Sequence, residues 1–277
     1  MSAAGRFALT EAERAAWQRD GFFLRPAVFT PGEVEALREA AERVAVRAAQ
    51  LAAAEGRAYE VDGNRYADVG DVTVQYEHGG DSSTLRVVEP FCHLDPVFDR
   101  LLGDPRIVEP MAGLVGADRV ALWTDKLNFK RPQEGSAFRW HQDSPYWAHA
   151  SRHLDRLPNV MLALDDADEE NGCLRVVRGS HRRGLLPGRQ GDGVLGPLFT
   201  DPRFFDENEQ VAAAMPAGSL LFFSPHTVHG SEPNRSGRAR RACVLTYQPP
   251  GFDMFKRRGR REWAVGDAAP LLGGATA

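Results

Sequence analysis

Two textures follow one another along the chain. In the first third, apolar residues recur at intervals of three and four. Val34, Leu37, Ala41, Val44 and Ala48 fall on one face of a predicted helix. Its start is written in the same stretch: Thr30 as cap, Pro31 at the first helical position and Glu33 closing a capping box. A shorter helix is predicted after Thr10, with Glu13 in the box position and Gly21 as the stop. Between them "FFLRPAVF" predicts a short strand. From about residue 84 the period changes. "TLRVVEPF", "RVALWTDKLNFK", "NVMLALDD", "CLRVVRGS", "SLLFFSP" and "ACVLTYQP" are short β-rich runs cut by Gly, Pro, Asp and Asn. Such spacing predicts an all-β sandwich or barrel. A further helix is predicted over 97–115, broken by Pro105. Residues 56–83, rich in Gly and Asp, predict loops and short strands. Asn171-Gly172 predicts a hairpin turn, with Ser180 and His181 stabilising the next one.

The expected layout is a single domain over 1–277: a helical part with loops to 83, a β core over 84–250, and a tail over 251–277 that frays in "AAPLLGGATA". A chain of 277 residues can bury a core of that size. Its net charge of −4 and pI near 6.1 do not advertise nucleic acid or an acidic membrane surface as partner. No apolar run approaches the roughly 18 residues needed to cross a bilayer. The N-terminus lacks the apolar segment of a secretory signal. Cys92, Cys173 and Cys243 form no Cys-x-x-Cys pair, which argues against a disulfide framework or thiolate zinc site and for a reduced, cytoplasmic setting. "KRRGRR" at 256–261 is expected to be a solvated surface segment.

Candidate chemistry centres on "WHQDSPYW". His141 and Asp143 are two apart, and on a strand such residues share a face. Two His and one carboxylate make the facial triad of non-haem iron oxygenases, which leaves coordination positions open. Alone, His-x-Asp is weak evidence. A third ligand is on offer from "SPHTVHGSEPN", where spacing does not choose between His226 and His229. A dicarboxylate cosubstrate needs a fixed cation, and Arg grips a carboxylate bidentately. Arg235, Arg238, Arg240 and Arg241 follow, the first two reading as surface residues. Arg240 and Arg241 point to opposite faces of a strand, so one of them can look inward. Phe138 and Trp140, alternating with the ligands, are expected to point into the core. Tyr146, Trp147 and His149 could build an aromatic wall for substrate.

With "FKRP", "WHQD", "LALDDADEENGCLRVVRGSH", "AGSLLFF" and "HGSEPN…RR" in order between about 86 and 248, the sequence resembles the phytanoyl-CoA 2-hydroxylase family of Fe(II)/2-oxoglutarate dioxygenases. The resemblance implies a double-stranded β-helix, a mainly β jelly roll flanked by helices. It implies His141, Asp143 and His229 as iron ligands, and Arg240 as the anchor of 2-oxoglutarate with Ser231 beside it; Arg241 is the alternative one register away. Lys126, Met161 and Arg86 fall where family members line the cosubstrate pocket, although the family more often has Met at position 126 and an aromatic at 161. The implied reaction consumes dioxygen and 2-oxoglutarate, releases succinate and carbon dioxide, and hydroxylates a C–H bond of a small molecule. Related halogenases carry a small residue where this chain has Asp143, so the carboxylate implies hydroxylation, or desaturation or ring chemistry by the same route. The alternatives are a zinc hydrolase or a non-catalytic binding module on the same roll. Arg152, Arg156, Arg182, Arg183 and Arg189, in the stretches expected to set specificity, leave a polar or anionic substrate open.

Overall fold

The computed structural model describes residues 5–79, 82–267 and 270–271. Helices α1 (Glu11–Asp20) and α2 (Pro31–Glu55) begin at complete capping boxes, in which Thr10 and Thr30 accept from the Glu13 and Glu33 amides. Gly21, with φ 85°, ends α1 in the left-handed conformation that glycine tolerates best. Strand β1 (Phe22–Arg25) lies between the two helices. The predicted 97–115 helix is two helices, α3 (Pro96–Leu101) and α4 (Pro105–Val115). Pro105 opens the second one, where its missing N–H costs nothing.

The remaining strands are β2 (Arg57–Val61), β3 (Asn64–Val69), β4 (Val72–Tyr76), β5 (Leu85–Glu89), β6 (Arg119–Asn128), β7 (Phe138–His141), β8 (Asn159–Ala163), β9 (Arg175–Val177), β10 (Gln210–Ala212), β11 (Leu220–Phe223), β12 (His229–Ser231), β13 (Ala242–Gln248) and β14 (Glu262–Ala264). They form two antiparallel sheets. The larger runs β1-β11-β8-β13-β6-β5-β4-β3-β2, with β14 also on β6; the smaller runs β10-β9-β12-β7. This is the jelly roll that the resemblance implies. The short strands expected within 56–83 are β2, β3 and β4, which extend the large sheet well before residue 84.

Burial on both faces explains the strands that show no alternation. Val160, Leu162, Leu220, Phe222, Cys243 and Leu245 join the cluster that includes the apolar face of α2. Their neighbours Met161, Ala163, Leu221, Phe223 and Ala242 form the filling of the roll with Val176 of the small sheet. Phe222 is completely buried and stacks on Phe23 at 4.7 Å.

Two expectations need correction. Asn171-Gly172 does not turn a hairpin: the strands on either side, β8 and β9, belong to different sheets. The turn is closed by Asp168 and Asn171, each side chain accepting from the other's backbone N–H. Residues 251–264 are not a loose tail. Phe255 stacks on Trp123 at 5.2 Å, and β14 pairs with β6. "KRRGRR" is the surface segment the sequence predicts, and ion pairs tie it down: Lys256 reaches Glu89, Arg257 Asp71 and Arg261 Asp99. Most of "AAPLLGGATA" lies outside the described residues. Among the described residues, no helix is long and apolar enough to cross a membrane.

Phe222→Ala should cost about 3–5 kcal/mol of unfolding free energy, since it removes a stacked, fully enclosed ring. Urea denaturation should show the midpoint falling with the slope unchanged.

Candidate active site

The site forms where β7 and β12 run side by side. Their register sets His141 directly opposite His229, with ring centroids 4.2 Å apart. Asp143 lies past the end of β7, in helical backbone conformation, so strand alternation is not what brings it in. A shared carbonyl does: the amides of Asp143 and Ser144 both donate to Pro225 O, at 3.1 Å each. One ligand atom from each of His141, Asp143 and His229 lies within 4.8 Å of the others. Between the ligands, Gln142 is completely buried. It donates to the carbonyls of Gly184 and His226 and accepts from the Leu186 amide.

The donor set fits a divalent metal. His141 Nδ1 lies 2.7 Å from Arg139 O, and His229 Nδ1 lies 2.9 Å from Thr227 O. Each bond places the proton on Nδ1 and turns a bare Nε2 inward. Desolvation, with His229 alongside, pushes His141 down to about 3, and desolvation lowers His229 too. Both are therefore neutral, as ligation requires. Burial would raise the Asp143 carboxyl, but the Lys126 ammonium beside it holds it low. Its Oδ2 accepts from Asn159 Nδ2 at 2.9 Å, and Asn159 accepts from Thr246 at 2.6 Å. Its Oδ1 faces Lys126 Nζ at 3.4 Å.

His226 stands apart from the triad. Its ring bridges Ser144 Oγ at 2.9 Å and Asp155 Oδ1 at 2.8 Å, locking two loops together. The two arginines that sequence left open face opposite ways. Arg241 is paired outside the roll with Asp165 and Glu42. Arg240 is buried, donates to Gly172 O at 2.7 Å, and leaves Nε without a partner. Among the described residues it has no carboxylate partner, and burial pushes its pKa down to about 10.

Ser231 is buried near it, beside a residue to which sequence reasoning gave no role. Lys130 Nζ lies 2.7 Å from Ser231 Oγ and contacts the carbonyls of Glu232 and Gly172. Burial, then Arg240 and Arg86, push Lys130 down to about 6. Arg86 is buried against Glu77 at 3.3 Å and lies 4.1 Å from the Phe138 ring. Arg86 and Arg240 thus concentrate positive charge beside Lys130 at one end of the roll, with Glu77 as the buried carboxylate beside Arg86. That imbalance suits a carboxylate ligand.

Other expected residues divide. Met161 lies in the apolar filling between the sheets. Phe138 faces the Arg86 side rather than the core. A register shift between Phe138 and His141 breaks the assumed alternation. Trp140 covers the outer face of the small sheet, with Phe205 at 5.7 Å. Tyr146 stands beside His141, ring centroids 5.9 Å apart. Trp147 is buried in an aromatic cluster with Trp123 and Leu157, and His149 is exposed near Phe255. Asn159 and Thr246 were missed, although a polar residue opening the apolar run "NVMLALDD" was the available signal.

A two-His, one-carboxylate cluster inside a jelly roll is the arrangement of Fe(II)- and 2-oxoglutarate-dependent oxygenases. Residues 17–242 match the phytanoyl-CoA dioxygenase (PhyH) family, and the chain belongs to that family. It is similar to the L-proline trans-4-hydroxylase of Streptomyces griseoviridis, 28% identical over 60% of this chain and 68% of the relative. The methylphosphonate hydroxylase of Gimesia maris is 26% identical over 86% of this chain and 80% of the relative. The crystal structure of EctD from S. alaskensis with 2-oxoglutarate and 5-hydroxyectoine shares the fold. Its TM-score is 0.71 at 22% identity, covering 98% of this chain and 92% of that one. The chain is an Fe(II)/2-oxoglutarate-dependent hydroxylase acting on a small molecule.

Asn159→Ala should weaken metal binding about 10–100-fold by freeing Asp143 Oδ2. Titration against a chromophoric chelator measures this, with circular dichroism confirming an intact fold.

Proposed function

We propose that His141, Asp143 and His229 hold Fe(II), and that Arg240 and Ser231 hold the distal carboxylate of 2-oxoglutarate. The chain then hydroxylates an unactivated C–H bond of a small polar metabolite and releases succinate and carbon dioxide. The observation that carries this reading is Arg240, a buried guanidinium that has no carboxylate partner among the described residues, in the roll that holds the His-Asp-His cluster. When bound, the iron supplies the activation of dioxygen and the oxidative decarboxylation of the cosubstrate.

The protein's share is geometry and dryness. Arg240 offers a fork matched to a carboxylate, and Lys130 fixes Ser231 from behind. Asn159 and Thr246 keep the Asp143 carboxylate turned toward the imidazoles. Arg86 and Met161 border the cosubstrate, the first as charge and the second as apolar wall. Tyr146 stands at the substrate side, and the Trp123–Trp147–Phe255 cluster keeps bulk water out. A zinc hydrolase would have no use for Arg240. Free, buried Cys92, Cys173 and Cys243 support a reducing, cytoplasmic setting.

Fe(II) with 2-oxoglutarate should raise the melting temperature by roughly 5 °C at saturating ligand. Arg240→Ala should remove the 2-oxoglutarate part and keep the metal part. His141→Ala and Asp143→Ala should abolish 2-oxoglutarate-dependent succinate formation. No 2-oxoglutarate shift in metal-loaded wild type would overturn the reading.

Lys130 adds a pH dependence. Its charged form is disfavoured in the empty protein, below its ordinary range, and a bound carboxylate favours that form. Cosubstrate binding therefore takes up a proton, and affinity for 2-oxoglutarate should rise as pH falls from about 8 toward 6.5. Calorimetry in buffers of different ionisation enthalpy measures the uptake, and Lys130→Met should flatten the profile.

A further inference from the structure

Lys126 sits on the interior face of β6, opposite Val244 of β13. Its neighbours Asp125 and Leu127 face the helices: Asp125 accepts from the amides of Phe91 and Cys92, and Leu127 joins the helix-side core. The ammonium makes one hydrogen bond among the described residues, at 3.4 Å to Asp143 Oδ1. It lies 5.7 Å from the ring of Tyr146 and 5.4 Å from that of Trp147. The side chain is 21% exposed, so a ligand entering the roll can reach it.

The two counter-charges of Lys126, Asp143 and Glu89, are spoken for in the loaded protein. Asp143 gives its charge to the metal. Glu89 accepts from Thr124 at 2.9 Å and pairs with Lys256 at 3.6 Å. The cosubstrate's carboxylates are also provided for, one by the metal and one by Arg240. Lys130, which marks the Arg240 end, is four residues farther along the chain, about 13 Å at the rise of a strand. A desolvated ammonium with unfilled donors beside a charged metal calls for an anion.

We propose that Lys126 is a specificity residue that anchors a carboxylate or phosphonate group of the substrate, holding the carbon next to that group against the metal. Tyr146 supplies the neighbouring wall. The proposal rests on the dioxygenase reading above and deepens it by naming the substrate's class: a small organic anion, or a zwitterion with its acidic group inward.

The test is anaerobic titration calorimetry of the Fe(II)-loaded full chain. 2-Oxoglutarate is titrated first. Acetate, acetamide, methylphosphonate and its dimethyl ester are then titrated into the cosubstrate-loaded protein. Wild type should bind acetate or methylphosphonate about tenfold or more tighter than its uncharged counterpart. Which anion wins tells carboxylate from phosphonate. Lys126→Met, which keeps length and loses charge, should erase the preference while leaving 2-oxoglutarate affinity within about twofold, and Lys126→Arg should restore it in part. Equal binding of charged and neutral probes by wild type would overturn the proposal, as would a preference that survives in Lys126→Met. A tenfold loss of 2-oxoglutarate affinity in Lys126→Met would assign the residue to the cosubstrate instead. Failure of wild type to bind 2-oxoglutarate at all would remove the dioxygenase reading and this one with it.

Discussion

The pairing of β7 with β12 is the constraint on which the site depends. It puts His141 opposite His229 and leaves the chain after β7 free to turn back on Pro225. A slip of one residue would reverse every side chain of either short strand. The register is held from both sides. Val228 packs with Val177 and Leu186 on the outer face, and Ser180 Oγ accepts from the Val228 amide while donating to Val177 O. The residues fixing the ligand geometry are therefore ordinary apolar and hydroxyl groups one layer out.

Positive charge is handled in two ways. On the surface, Arg241 and the basic segment near the C-terminus are paired with carboxylates, the kind of pairing that contributes modestly. Inside the roll, the Arg240 guanidinium meets a carbonyl instead, and Lys130, pushed toward its neutral form, meets carbonyls and a hydroxyl. An unmatched interior charge costs stability while the site is empty. The same deficit favours an incoming anion, so fold stability and ligand affinity are traded against each other at these residues.

Much of this was legible in the sequence. The helix starts were visible because capping boxes are local. The pair His141 and Asp143 was visible as a local motif, while His229 and Arg240 were singled out only by the resemblance to the family. What stayed hidden depends on contacts between distant segments. Spacing could not separate His226 from His229, because the choice is made by Ser144 and Asp155, many residues away. Phe138 was misplaced because a register shift is invisible to an alternation rule. Lys130 lay in a quoted motif without a role, since its partners Ser231 and Gly172 meet it only across the roll. The ion pairs of the basic surface segment were not legible because its carboxylates lie far upstream.

Gln142 carries a consequence beyond hydrogen bonding. One neutral amide ties together the segment between the two ligands, the carbonyls of Gly184 and His226, and the Leu186 amide. None of these ties uses the metal or competes for it. The ligands are thus held in place by groups indifferent to whether the centre is filled. Loading and exchange become questions of access rather than of folding, and a protein stripped of its ion is a socket that can be refilled.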